Sequence, residues 1–101
     1  MVYIDTGIDM KELECLMYVV ETNSFSQTAK CLHLSQPTVS THISALERKA
    51  GMQLVVRGTR SVQPSDAGMI LCSHAKSILQ LRERAREAIR QFEQQKTGVI
   101  L

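Results

Sequence analysis

Apolar residues recur at helical spacing over most of this chain. Leu13, Leu16, Met17 and Val20 predict an amphipathic helix from Met10 to about Thr22. Asn23 ends it and Ser24 restarts the chain. A short second helix is predicted from about Ser26 to Leu32, with Ala29, Leu32 and Leu34 as apolar contacts of the helix and the turn after it. A third runs from about Gln36 to Ala50, and Val39, Ile43, Leu46 and Ala50 mark its buried side. Ser35 suits its N-cap, because a hydroxyl there can accept from a free backbone N–H. Pro37 fits the first turn, where a missing N–H costs little. Gly51 suits the C-terminal cap.

The pattern then changes period. Gln53-Leu54-Val55-Val56 is β-rich, Arg57-Gly58-Thr59-Arg60 reads as a turn, and Ser61-Val62-Gln63 as a second short strand. Pro64 is expected to stop that strand, Ser65 to cap a new helix, and Asp66 to favour the helix's positive end. This last helix is expected to run to about Gln95. Leu71, Ala75, Ile78, Arg82, Ala85, Ile89 and Phe92 repeat at four and three, a coiled-coil seam with one charged member. His74, Leu81 and Ala88 widen the stripe. So small a protein cannot cover so long an amphipathic helix, and the expected partner is the same helix of a second chain. Glu83, Glu87 and Glu93 alternate with Arg84, Arg86 and Arg90, which is a solvated face.

The expected organisation is an extension at 1–9, a three-helix unit with a hairpin at 10–64, a linker (dimerisation) helix at 65–96, and a hinge at 97–101. The extension has no periodic pattern. Thr97 to Leu101 are expected to break the helix and open an apolar run into a further domain.

The second and third helices, joined by a tight turn, carry the candidate chemistry. Opposite the apolar side of the third helix lie Pro37, Ser40, Thr41 and Ser44. An ordinary surface helix would carry Lys and Glu there. These side chains are short, uncharged and able to hydrogen-bond, so a nucleic-acid surface can approach closely. That is the layout of a helix lying in the DNA major groove. A hairpin following such a pair is a wing, and Arg57 and Arg60 flank its tip. Arg60 is expected to reach a neighbouring minor groove, and Arg57 to hold phosphate or brace the fold.

Composition narrows this reading without carrying it. The chain has 101 residues, enough for one small domain with an appendage, and a 44% hydrophobic content that favours folding over disorder. A net charge of +2 is weak support for a polyanionic partner. Aromatic residues are 4% and Trp is absent, which argues against single-strand binding by base stacking. Tyr18 and Phe25 read as core residues. Cys15, Cys31 and Cys72 show neither metal-ligand nor disulfide spacing and read as reduced, structural thiols, so no metal site is expected. No secretory signal or membrane-length apolar run is present, so a cytoplasmic location is expected. No phosphate loop, metal cluster or nucleophile with its base points to an enzyme. The competing reading is a helical protein-interaction module without specific DNA binding.

The order helix, helix-turn-helix, wing and long helix comes with Ser24-Phe25, Ala29, Leu32, Ser35-Gln36-Pro37, Val39-Ser40, Ile43, Leu46-Glu47, Gly51, Leu54, Arg57, Arg60 and Gly68. In combination these resemble the N-terminal half of the LysR-type transcriptional regulators, over about Met10 to Gly98. The resemblance implies a mainly α fold: a winged helix-turn-helix, three helices plus a β-hairpin wing, followed by a long dimerisation linker helix. It implies that Ser35, Gln36, Pro37, Thr38, Ser40, Thr41 and Ser44 of the recognition helix, with Arg57 and Arg60 of the wing, meet double-stranded DNA. Gln36 can read a base edge, with adenine as the natural geometric target. Leu71, Ala75, Ile78, Leu81, Arg82, Ala85, Ile89 and Phe92 are the implied dimer contacts. The resemblance further implies an interrupted palindromic target, a tetramer for the full-length protein, and an absent C-terminal domain that senses a small-molecule effector. It implies no cofactor in this segment and leaves RNA polymerase open as a further partner. Thr41 stands where many relatives carry Arg, His42 where they carry Gln, Val55 for Phe, and Ala50 and Pro64 for Leu.

Overall fold

A computed structural model of the chain describes residues 7–98. Residues 1–6 of the expected extension and 99–101 of the expected hinge lie outside the described residues. Helices α1 (Met10–Thr22), α2 (Phe25–Leu32) and α3 (Gln36–Ala50) come first. The strands β1 (Val55–Arg57) and β2 (Val62–Pro64) follow, and helix α4 (Asp66–Gly98) ends the described chain.

α1 begins at a reciprocal capping box. The Glu12 N–H donates to Asp9 Oδ1 at 3.0 Å, and the Asp9 N–H donates to Glu12 Oε1 at 3.1 Å. Glu12 is buried, and Lys49 of α3 meets its second oxygen at 2.7 Å while also donating to the Gly7 carbonyl at 2.6 Å. Ile8 packs against the core. Residues 7–9 are therefore part of the fold and correct the expectation of a loose extension: Asp9 is a cap, Ile8 an apolar contact and Gly7 an acceptor.

α1 and α2 both end on a non-glycine residue in the left-handed region, Asn23 at φ 56° and His33 at φ 56°. α3 starts as expected: Ser35 Oγ accepts from the Thr38 N–H at 3.2 Å, with Pro37 in the first turn. It ends at Gly51, φ 74°, whose N–H returns to the Glu47 carbonyl at 2.9 Å.

Leu13, Cys15, Leu16 and Val19 of α1, Val39, Ile43 and Leu46 of α3, and Leu54, Val55 and Val62 of the hairpin form one core with Cys72 and Ala75 of α4. A two-stranded hairpin is marginal by itself. This one is sealed by burying Val55 and Val62, and both ends are tied down. Glu47 Oε2 accepts from the N–H groups of Leu54 and Val55, at 2.9 and 3.2 Å. Val55 and Ala50 are both buried, so the smaller side chains at these positions are accommodated inside the core. Pro64 ends the strand as expected, as the last residue of β2, opposite Val55.

Ser65 links hairpin and α4. Its N–H donates to the Leu54 carbonyl at 2.9 Å, its hydroxyl to the Gln53 carbonyl at 2.7 Å, and its Oγ accepts from the Gly68 N–H at 3.0 Å. α4 continues through Thr97 and Gly98, so these residues do not break the helix as expected. A helix gains one backbone hydrogen bond per added residue, and a single near-terminal Gly is too small a penalty to stop it.

Candidate nucleic-acid interface

The turn between α2 and α3 is built from backbone bonds. His33 takes up the left-handed conformation, and the Leu34 N–H donates to the Ala29 carbonyl at 2.9 Å. The chain thereby passes from α2 to α3 in three residues, and Leu34 packs against the core. Ser35 then holds the first turn of α3, with its Oγ also 2.7 Å from Thr38 Oγ1.

With Val39, Ile43, Leu46 and Ala50 buried, α3 has only one way to face. Ser35, Gln36, Pro37, Thr41 and Ser44 are exposed; Thr38 and Ser40 are half-buried. This face carries no Asp, Glu, Lys or Arg from Ser35 to Ser44. Its polar atoms are hydroxyls and one carboxamide on short side chains, which suits direct contact with base edges.

The wing comes up beside the start of α3. A cleft of about 310 Å³ separates them, lined by Asn23 to Ser26, Gln36, and Arg57 to Val62. Gln36 thus shares one concave surface with Arg57 and Arg60, which lie more than twenty residues further along the chain. Thr41 and Ser44 lie further along α3, outside it. Arg60 is exposed at the tip, where the Gly58 N–H closes the loop onto the Ser61 carbonyl at 2.8 Å. Arg57 lies over the Phe25 ring, 4.7 Å from its centroid. A guanidinium over an aromatic face is held by the ring quadrupole and keeps its donors outward. Phe25 is part of the site's scaffold as well as the core, whereas Tyr18 is half-buried and outside the core cluster.

Two residues that build the site were not expected there. Glu47 fastens the root of the wing. Asn23, expected only to end α1, also donates from its side chain to the Val62 carbonyl at 3.0 Å. The signal for Asn23 was its residue type at a helix end, since Asn tolerates the left-handed region. Its reach across to β2 had none.

α4 presents two faces. Cys72, Ala75 and Leu79 are buried against the chain's own domain. Ile70, Ile78, Leu81, Ile89 and Phe92 are exposed, the last three by 64%, 68% and 66%. Ala75, at 0% exposure, is therefore corrected: it is a core residue and cannot meet a second chain. The exposed stripe keeps Ile78, Ala85, Ile89 and Phe92 of the expected seam and runs with them through Ile70, His74 and Leu81. Its start is continuous with an apolar groove of about 570 Å³ between Ala50, Met52, Leu54, Ala67, Ile70, Leu71, His74 and Ile78. Arg82 is a partly exposed bridge within the chain, 3.7 Å from Glu14 of α1 and 3.5 Å from Glu83.

The three thiols differ. Cys15 and Cys72 are buried, and burial pushes the Cys15 thiol up to about 11 and the Cys72 thiol upward as well. Cys31 is exposed on α2, so it does not serve the packing role expected of it. Among the described residues no cluster of His, Cys, Asp and Glu could hold a metal ion, and no helix is long and apolar enough to cross a membrane.

Comparison with known proteins agrees with this geometry. The chain is 34% identical over 93 residues to the nitrogen assimilation regulatory protein nac of Escherichia coli, covering 92% of this chain and 30% of that protein. It is 39% identical over 77 residues to the putative HTH-type transcriptional regulator protein PtxE of Stutzerimonas stutzeri, covering 76% of this chain and 39% of that protein. The chain thus spans only about a third of these relatives. Its fold matches the DNA-binding domain of BenM, solved in complex with catB site 1 DNA, with a TM-score of 0.79 and 29% identity over 82% of this chain and 92% of that one. It also matches the CbnR DNA-binding domain in complex with DNA, with a TM-score of 0.78 and 30% identity over 82% of this chain and 95% of that one. Residues 10–69 match the family described as bacterial regulatory helix-turn-helix proteins of the lysR type, and the chain belongs to that family.

Proposed function

We propose that this segment is the sequence-specific, double-stranded DNA-binding part of a transcriptional regulator, acting as a homodimer on an interrupted palindrome. The observation that carries this reading is the cleft that places Gln36 at the start of α3 beside Arg57 and Arg60 of the wing. A carboxamide offers a paired donor and acceptor for a base edge in the major groove. Arg60, at the wing tip, is placed for the adjoining minor groove, and Arg57 for the phosphates between the two. Thr38, Ser40, Thr41 and Ser44 continue the contact along α3. The solved relatives bound to DNA support the same assignment.

The homodimer reading rests on the exposed stripe of α4. Leu81, Ile89 and Phe92 face water in the single chain, and a contiguous apolar surface of this kind marks an interaction site. Leu71, Ile78, Leu81, Ala85, Ile89 and Phe92 are the contacts we assign to a second copy, with Arg82 at the margin. Two recognition helices on a two-fold axis would read half-sites about one helical turn apart. For the whole regulator we propose a cytoplasmic location, a tetrameric assembly, control by a small-molecule effector bound outside this segment, and RNA polymerase as a further partner. These rest on family membership.

Selection of bound duplexes from a random DNA pool, at low and at physiological salt, tests the reading. A symmetric, interrupted motif is expected, with affinity falling as salt rises, as counterion release requires. Recovery of no motif, with binding lost at physiological salt, would overturn sequence-specific recognition in favour of a protein-interaction module.

A further inference from the structure

We propose that Asn23 is the positioning residue of the wing, setting where Arg60 stands relative to Gln36. The root of the hairpin is fixed by Glu47 and Ser65. The end of β2 nearest the tip is fixed by Asn23, which makes three bonds to it. Its carbonyl accepts from the Val62 N–H at 3.2 Å. One N–H of its carboxamide donates to the Val62 carbonyl at 3.0 Å, and the other reaches Gln63 Oε1 at 3.4 Å. Both backbone groups of Val62 are thereby held by one residue of the turn between α1 and α2. The left-handed conformation of Asn23 (φ 56°) aims carbonyl and carboxamide at the same strand. Asn is the side chain that combines tolerance of that conformation with two N–H donors. The next residue, Ser24, caps α2, and Phe25 carries Arg57 on its ring. One three-residue turn therefore sets the helix-turn-helix and both wing arginines in a common frame.

The consequence for DNA rests on the DNA-binding reading above, but the tie itself can be measured without DNA. Asn23→Gly is the informative variant. Glycine keeps the positive φ and the carbonyl acceptor and loses only the carboxamide bonds. Relaxing the left-handed turn offsets the lost carboxamide bonds, so the melting temperature should stay close to that of the wild type, and the local readouts below carry the test. In hydrogen exchange of the free protein, the amides of Gly58 and Val62 should exchange faster in Asn23→Gly, while those of Val39 and Ile43 in α3 stay as in the wild type. Asn23→Asp, which replaces the donor facing the Val62 carbonyl with an acceptor, should loosen the wing further.

On the duplex recovered by selection, Asn23→Gly should bind roughly threefold to tenfold more weakly, the range that one or two ordinary hydrogen bonds supply. In an Arg60→Ala background the same change should cost less than about twofold, because the wing contact it serves is already gone. Unchanged wing exchange in both Asn23 variants would overturn the proposal. So would equal losses of affinity with and without Arg60, which would place the action of Asn23 elsewhere. If the wild type selects no motif, the DNA-binding reading fails, and the exchange experiment alone decides whether Asn23 holds the wing.

Discussion

Gly68 shows how little room one position can leave. A Cβ built there would lie 2.0 Å from the Leu54 carbonyl oxygen, a backbone atom fixed by its bond from the Ser65 N–H. Gly68→Ala should therefore force the first turn of α4 away from β1 and destabilise the fold by about 1–3 kcal/mol, the usual cost of overpacking. Urea denaturation followed by circular dichroism measures it, and a change below experimental error would show that α4 can shift freely. At the DNA surface, Gln36→Ala should reduce discrimination between the selected duplex and a scrambled one by about 1–3 kcal/mol, the scale of a base-reading contact. Unaltered discrimination in a competition titration would remove Gln36 from that role. Cys15 carries a pH signature. Its folded thiol ionises near 11 against an ordinary value of 9.0, so between those values the unfolded chain has lost a proton that the folded chain retains. Stability must then fall as pH rises through that window. Cys15→Ala should make the fall shallower by up to about 1.4 kcal/mol per pH unit, read from urea midpoints across the same range.

Among the elements, the wing depends most on its neighbours. It has three residues in each strand and buries Val55 and Val62, too little to persist alone. Glu47, one turn before the end of α3, supplies a carboxylate to two successive N–H groups at its root. Glu47→Ala would leave the Leu54 and Val55 amides without that acceptor in a buried setting. The expected loss is about 1–3 kcal/mol of stability. Amide exchange at Leu54 and Val55 should also rise more than in α2. Equal protection in the variant would mean that the hairpin is held by its apolar contacts alone. α3 is the opposite case. Its capping serine, first-turn proline and terminal glycine act locally, so its limits agree with those expected from the sequence.

For the molecule as a whole, α4 decides the shape. Its first half is shared with the core through Cys72, Ala75 and Leu79, and its second half leaves Ile89 and Phe92 in water. We expect the isolated chain to sediment as a dimer. Leu81→Glu with Ile89→Glu should yield a folded monomer, because both side chains lie outside the chain's own core and each pair of facing carboxylates would repel across the interface. The monomer should retain its helical circular dichroism signal. A double variant that stays dimeric at micromolar concentration would move the interface off this stripe.

Much of this was legible from the residues in order. The limits of α1 and α3, the tight turn at His33 and Leu34, the hairpin after Gly51 and the cap at Ser65 depend on neighbours within a few positions. Helical periodicity and capping chemistry are short-range and can be read along a line. The exposed polar face of α3 follows from its buried face, because a helix with one apolar stripe has its remaining surface determined. Three things could not be read so. The capping role of Asp9 was hidden because residues 1–9 show no periodicity, and a cap needs none. The place of Ala75 on α4 was hidden too, since an apolar stripe states that a face is buried but not by what; Ala75 went to the chain's own core. The meeting of Gln36 with Arg57 and Arg60, and the ties from Glu47 and Asn23 that enforce it, join residues 7 to 40 positions apart. Short-range order along the chain sets the elements and the chemistry each one carries. Which of those chemistries share a surface follows from how the apolar faces pack together in three dimensions, and the linear order of residues does not contain that.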